Sequence, residues 1–254
     1  MIPKKIHYCW FGQGDLSPMN LACIDSWTKH LPEYELVKWD ESNCPQNSFI
    51  SHHLKEQNWA FVSDYVRLHA LFEHGGLYFD TDIEVIKSFD DLLDDSAFVA
   101  FESDGRVNNA VSGSTKGHAF FKDCMNYMVK RFDDEQSYHI SPDVTTNVMK
   151  TGDYDVTVFS SKYFYPYNPY DEANEIKIFM YRMVTSDTHA IHHWAKSWEI
   201  KKSKFETTIQ FGWGAFSQKK WYQTLTYGLK GIVLEPLKDD GYRLVFCSFF
   251  RRTR

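Results

Sequence analysis

Residues 58–82 read NWAFVSDYVRLHALFEHGGLYFDTD, and this stretch decides the fold. Ala60, Asp64, Arg67 and Leu71 recur at spacings of four, three and four, the repeat of one face of an α-helix. Most of the remaining circumference is apolar, which predicts a largely buried helix from Asn58 to His74. Gly75-Gly76 ends it, read here as a left-handed cap. Leu77-Tyr78-Phe79 then enters as an apolar strand and emerges in Asp80-Thr81-Asp82. The period-two geometry of a strand points Asp80 and Asp82 the same way.

Working outward, Ile6 to Phe11 forms an aromatic, β-branched strand closed by Gly12 and Gly14. Ser17-Pro18 starts a helix, an N-cap followed by proline in the first turn, and that helix runs through Leu21, Ile24 and Trp27. Tyr34 to Trp39 is a second strand, so the chain opens as strand, helix, strand, the start of a Rossmann-like α/β layer. Downstream, strands are expected near Ala97 to Phe101 and Ala110 to Ser114, and helices from His118 to Phe132 and Pro142 to Lys150. Tyr163 to Tyr167 reads as a loop, followed by His189 to Trp194 and Ser197-Trp198. Without a repeat, linker or low-complexity tract, residues 1–254 are expected to form one domain. Residues 1–100 would be its first half, and residues 101–254 its second half with the carboxy-terminal segment.

Composition narrows the class. A formal charge of −6 lacks the basic footprint of a general nucleic-acid binder. The five cysteines, an odd number without a Cys-x-x-Cys pair, fit reduced thiols in a cytosol better than a disulfide framework. The sequence has no signal-peptide apolar region and no run of about 18 apolar residues. A soluble, cytoplasmic protein is expected, or one peripheral to the inner face of the plasma membrane. Lys219, Lys220, Lys230, Arg251, Arg252 and Arg254, interspersed with Trp221, Phe249 and Phe250, suit contact with an anionic membrane surface. They equally suit a solvated basic face beside ordinary core aromatics.

Asp80-x-Asp82 at a strand end suits a hard divalent cation, which prefers carboxylate oxygens. Asp64 and Arg67 lie on the preceding helix, one turn apart, either as an ion pair or as a hydrogen-bonding carboxylate beside a phosphate-facing guanidinium. Of the adjacent His192 and His193, at most one can face a metal, because neighbours on an extended segment point to opposite sides.

Three blocks carry a family resemblance. They are Ile2 to Gly12, then Val62 to Arg67 with Gly75 to Asp82, and His192 to Trp198. Together they resemble glycosyltransferase family 32, with a more distant similarity to the catalytic domain of the large clostridial glucosylating toxins. The resemblance implies a GT-A fold with a Rossmann-like mixed central sheet flanked by helices. It further implies dependence on Mn²⁺ or Mg²⁺, and transfer of a hexose from a UDP-sugar with retention of anomeric configuration. It assigns Trp10 to stack on the base and Asp64 and Arg67 to the donor's ribose, sugar or phosphate, with Tyr78 lining the nucleotide pocket. Asp82 would ligate the metal directly, Asp80 would reach donor hydroxyls and the metal, and His192, favoured over His193, would complete the metal or diphosphate site. Ser197 and Trp198 would attend the diphosphate. The catalytic set is then Asp80, Asp82 and Arg67, with Asn109 and Asp143 on the acceptor side. Ser141-Pro142 stands where the family often has Gly-Pro. The implied acceptor is a glycan or lipid-linked glycan of a bacterial surface polysaccharide such as a capsule. A toxin-like protein glycosyltransferase and a non-catalytic nucleotide-sugar binding module are the alternatives.

Overall fold

The structure is a computed structural model that describes residues 1–135, 139–170, 180–195, 232–236 and 242–246. The chain divides into two compact units, Met1–Trp198 and Glu199–Arg254. In the second, the described residues form one antiparallel pair, Ile232–Pro236 with Tyr242–Phe246. The basic and aromatic residues between 219 and 254 named above lie outside the described residues, as do Ser197 and Trp198.

The first unit has a GT-A fold, a mixed sheet covered on both faces. In chain order its strands are β1 (Lys5–Cys9), β2 (Glu35–Trp39), β3 (Gly76–Phe79), β4 (Ile83–Val85), β5 (Ala97–Ser103), β6 (Arg106–Ser114), β7 (Thr157–Phe159) and β8 (Ala190–His192). Its helices are α1 (Pro18–His30), α2 (Ser48–Lys55), α3 (Trp59–His74), α4 (Ala119–Glu135) and α5 (Ser141–Met149). Six strands make the main sheet in the order β2-β1-β3-β6-β5-β7. The pairs β1–β2, β1–β3 and β5–β7 are parallel, while β6 runs antiparallel to both β3 and β5.

Strand alternation splits the core in two. In β3, Tyr78 packs into one cluster while Leu77 and Phe79 pack into the other. In β5, Ala97 and Val99 join the first and Phe98 and Ala100 the second. The first cluster takes Val62, Val66 and Leu71 of α3 with Phe120, Phe121 and Met128 of α4. The second takes Trp27 of α1 together with Ile83 and Val85 of β4 and Ala190 of β8. A sheet buried on both faces explains why β3 has no exposed position.

Three sequence expectations change in detail. Gly75 caps α3 at φ 66° but ψ −175°, which is not the left-handed helical cap expected. The chain must pass directly from helix into β3, so ψ is already extended. A Cβ at Gly75 would also lie 2.8 Å from the Lys116 backbone nitrogen. The inner face of α1 is Asn20, Cys23 and Trp27, and Leu21 is exposed, because this face must reach polar groups beside β4. Finally, β3 stops at Phe79, and Asp80 to Ile83 form a turn closed by the Ile83 N–H donating to the Asp80 carbonyl at 3.0 Å. Strand alternation therefore does not aim the two aspartates.

β4 and β8 form a separate antiparallel pair, with Ile83 opposite His192 and Val85 opposite Ala190. This ladder brings the third sequence block onto the aspartate turn. No helix among the described residues is long and apolar enough to cross a membrane.

Candidate active site

Parallel neighbours β1 and β3 end at the same edge of the sheet, so Trp10 and Asp80 follow them there. Ligands of open α/β sheets gather at such an edge, outside the carboxyl ends of the strands. Trp10 is partly exposed, and its indole N–H donates to the Gly14 carbonyl, which pins the ring to the loop after β1.

Arg67 is the hub. One guanidinium nitrogen lies 3.0 Å from Asp64 and 3.0 Å from Asp80; another donates to Asn109 Oδ1 at 3.1 Å. The guanidinium sits 4.9 Å over the centroid of the Tyr78 ring, whose hydroxyl donates to Asp80 at 2.9 Å. Arg67 is 6% exposed and its partner Asp64 7%, so the network is desolvated. Burial pushes the Asp64 carboxyl up to about 6 against the pull of Arg67, and it raises Asp80 and Tyr78 as well. Burial disfavours the charge on Arg67, yet the surrounding acids hold its pKa above the usual arginine range.

Asp82 is fixed from the other side. Its carboxylate lies 3.3 Å from His192 Nε2 and accepts the Ala195 N–H at 2.8 Å, while its carbonyl accepts the His193 N–H at 3.0 Å. Burial works against its charge, but His192 and these donors prevail and hold the carboxyl down at about 2. His192 in turn is raised; burial opposes its protonation and the Asp82 charge overcomes it. Trp194 stacks on His192 with ring centroids 4.1 Å apart and holds a backbone φ of +54°, rare for so bulky a residue. Its indole N–H donates to the Tyr167 carbonyl at 2.7 Å. His193 turns the other way and pairs with Glu84 at 2.8 Å.

One ligand atom each from Asp80, Asp82 and His192 can lie within 4.8 Å of one another, the group among the described residues that could hold a metal ion. The donor set fits a divalent cation. Asp64 and Asp80 flank one guanidinium and Asp82 sits beside His192, an excess of two negative charges when the three carboxylates are ionised and His192 is neutral. His192 Nδ1 is buried without a partner among the described residues, and two carboxylates with an imidazole suit a borderline ion such as Mn²⁺.

Asn109 is fully buried, and its Oδ1 accepts from both Arg67 and the Ser141 hydroxyl, the latter at 2.6 Å. Only its Nδ2 lacks a partner among the described residues. Asp143 lies farther out and pairs with Arg106 at 3.2 Å. The same Arg106 reaches Glu102 at 2.7 Å, and Glu102 also takes the Asn108 amide. Sequence reasoning missed Glu102, a buried carboxylate raised by its burial and near enough for His192 to oppose that shift. Its signal was a lone acid ending the apolar run Ala97 to Phe101.

Residues 19–99 match the family model described as the glycosyltransferase sugar-binding region containing the DXD motif. Residues 113–212 match the α-1,4-glycosyltransferase conserved region. Inositol phosphoceramide mannosyltransferase 3 of Schizosaccharomyces pombe is 28% identical over 130 residues, 47% of this chain and 35% of that protein. Subversion of eukaryotic traffic protein A of Legionella pneumophila is 28% identical over 121 residues, 36% of this chain and 19% of that protein. The matches thus span about a third or less of the length of these curated relatives. The solved PaToxG glycosyltransferase shares the fold at a TM-score of 0.50 and 19% identity, over 59% of this chain and 68% of its own. Both matched regions are described as glycosyltransferase regions, and the solved structure shows the shared fold alone.

Proposed function

We propose that this protein is a metal-dependent, retaining glycosyltransferase that moves a hexose from a UDP-sugar to a glycan or lipid-linked glycan acceptor. The observation that carries the reading is the convergence of Asp80, Asp82 and His192 beside the buried Arg67 network. Asp80, Asp82 and His192 would hold Mn²⁺ or Mg²⁺, which would supply stabilisation of negative charge on the departing diphosphate. Arg67, locked by Asp64, Asp80 and Asn109, supplies a fixed positive charge beside the donor site without a reorganisation cost. Trp10 stacks on the base, Tyr78 walls the nucleotide pocket, and Ser197 and Trp198 attend the diphosphate. Asn109 and Asp143 face the acceptor.

The match to an α-1,4-glycosyltransferase region favours an α-linked product, hence retention from an α-linked donor. The similar mannosyltransferase, whose name pairs a hexose with a ceramide-borne acceptor, favours a lipid-linked acceptor. Assembly of a cell-surface polysaccharide at the cytoplasmic membrane face is the setting that joins these features.

A thermal-shift panel of nucleotide sugars with and without Mn²⁺ tests the reading. A ligand at a hundred times its Kd stabilises by about 2.7 kcal/mol, so the matching UDP-hexose should raise Tm, and only with the metal. A flat panel contradicts the assignment. Slow Mn²⁺-dependent donor hydrolysis separates an enzyme from a binding module, and proton NMR of the product's anomeric coupling checks retention.

A further inference from the structure

The Asp80–Ile83 turn lies beyond the end of β3, so strand geometry cannot set the distance between its two carboxylates. Another element has to do so. Three side chains of α1 contact alternate residues along this segment. Asn20 Nδ2 donates to Thr81 Oγ1 at 3.1 Å, the Trp27 indole N–H donates to the Ile83 carbonyl at 2.7 Å, and Ser26 Oγ accepts the Val85 N–H at 2.8 Å.

Of the three, Asn20 reaches the residue between the two aspartates. It is 2% exposed, on a helix face otherwise made of Cys23 and Trp27. An amide there is costly unless every group is paired, and an apolar residue would pack the same space more cheaply. Here it is paired throughout. The Asn20 Oδ1 accepts the Ser17 hydroxyl at 2.5 Å, and the Asn20 backbone N–H donates to Ser17 Oγ at 3.2 Å. The N-cap of α1 thereby fixes the rotamer of Asn20, which fixes Thr81.

We infer that Asn20 is a positioning residue for the cation site, holding Thr81 so that Asp80 and Asp82 converge. This rests on the metal-site reading above. Ser17 supports it through the cap, while Trp27 and Ser26 anchor the strand that follows. The side chain of Asn20 acts through Thr81 and has no part in the chemistry. Supporting partners of this kind typically govern ten- to a hundredfold in metal affinity.

The test is Mn²⁺ binding, read by electron paramagnetic resonance of the free ion, with Tm recorded in parallel. Thr81→Val keeps the shape and removes the oxygen that Asn20 grips, Thr81→Ser keeps that oxygen, and Asn20→Leu removes the donor. Thr81→Val and Asn20→Leu should each weaken Mn²⁺ binding by about tenfold or more, with Thr81→Ser within about twofold of wild type. A purely structural role would lower Tm and leave the affinity of the folded protein unchanged. Wild-type affinity in folded Thr81→Val overturns the proposal, and that variant suffices if Asn20→Leu does not fold. Asp82→Asn separates the two levels of the argument. If it abolishes binding while Thr81→Val does not, only the positioning role falls. If wild-type protein binds no Mn²⁺, the metal-site reading falls and takes the positioning role with it.

Discussion

Replacing Arg67 by Met tests the buried network most severely. The substitution keeps an unbranched, space-filling chain but strips Asp64 and Asp80 of the guanidinium that lies 3.0 Å from each. Removing one partner of a buried ion pair costs about 3 to 5 kcal/mol, because the other charge stays behind unpaired. Asp64 gives an internal check on the scale. Even with Arg67 present, burial lifts its carboxyl to about 6 from an ordinary 3.8, a shift worth about 3 kcal/mol. A carboxyl raised in the folded state binds its proton there first, so stability rises as pH falls from the folded value towards the unfolded one. Without Arg67 the folded value climbs further and the gain begins at higher pH. Urea denaturation should therefore show Arg67→Met less stable than wild type by about 3 kcal/mol or more near pH 8, with the gap narrowing by about pH 5.5. A gap under about 1 kcal/mol, or one that does not narrow on acidification, would refute the account of Arg67 as the counter-charge.

Other consequences follow from single contacts. His7 is held neutral, with Trp39 donating to Nδ1 at 3.2 Å and Nε2 placed 2.9 Å from the Gly75 carbonyl, and burial lowers its pKa to about 4. The unfolded chain takes the proton first, so stability is full above about pH 6.5 and falls by up to about 3 kcal/mol towards pH 4; His7→Gln should flatten that slope in urea titrations. Gly113 faces Phe98 across the β5–β6 ladder, where an added Cβ would overlap the ring, so Gly113→Ala should cost about 1 to 3 kcal/mol by thermal unfolding. Trp10→Ala should weaken UDP binding by about 1 to 3 kcal/mol in calorimetry, and unchanged affinity would make Trp10 a packing residue.

Much of this architecture was legible in the sequence because it is local. The Ser17 cap and Pro18 announce α1, and the Asp64–Arg67 spacing places both side chains on one face of α3. The Gly75-Gly76 pair marks the passage from α3 into β3. What escaped depends on partners distant in the chain. Leu21 is a better apolar residue than Asn20, yet Asn20 is the one inside, because Thr81 lies opposite. β4 and β8 have three residues each, too short for any periodicity, although their pairing delivers His192 to Asp82. His192 and His193 are equivalent as residue types, and only the ladder turns the first towards Asp82 and the second towards Glu84. The Asp104-Gly105 turn, with Gly105 at φ +67°, is the hairpin signal between β5 and β6, and it carries both strands beyond the expected Ala97–Phe101 and Ala110–Ser114 to take in Glu102.

The most direct test of the central claim is release of UDP from the UDP-hexose selected by thermal shift. It compares wild type in saturating Mn²⁺, wild type in EDTA, and Asp82→Asn in saturating Mn²⁺. Asp82→Asn keeps the side-chain volume and removes a carboxylate that His192 and the Ala195 N–H hold in place. Turnover should fall by at least about a hundredfold both in EDTA and in the variant, the scale of losing one strong electrostatic contact in a transition state. Near-wild-type UDP release by Asp82→Asn, or in EDTA, would contradict the metal-dependent mechanism.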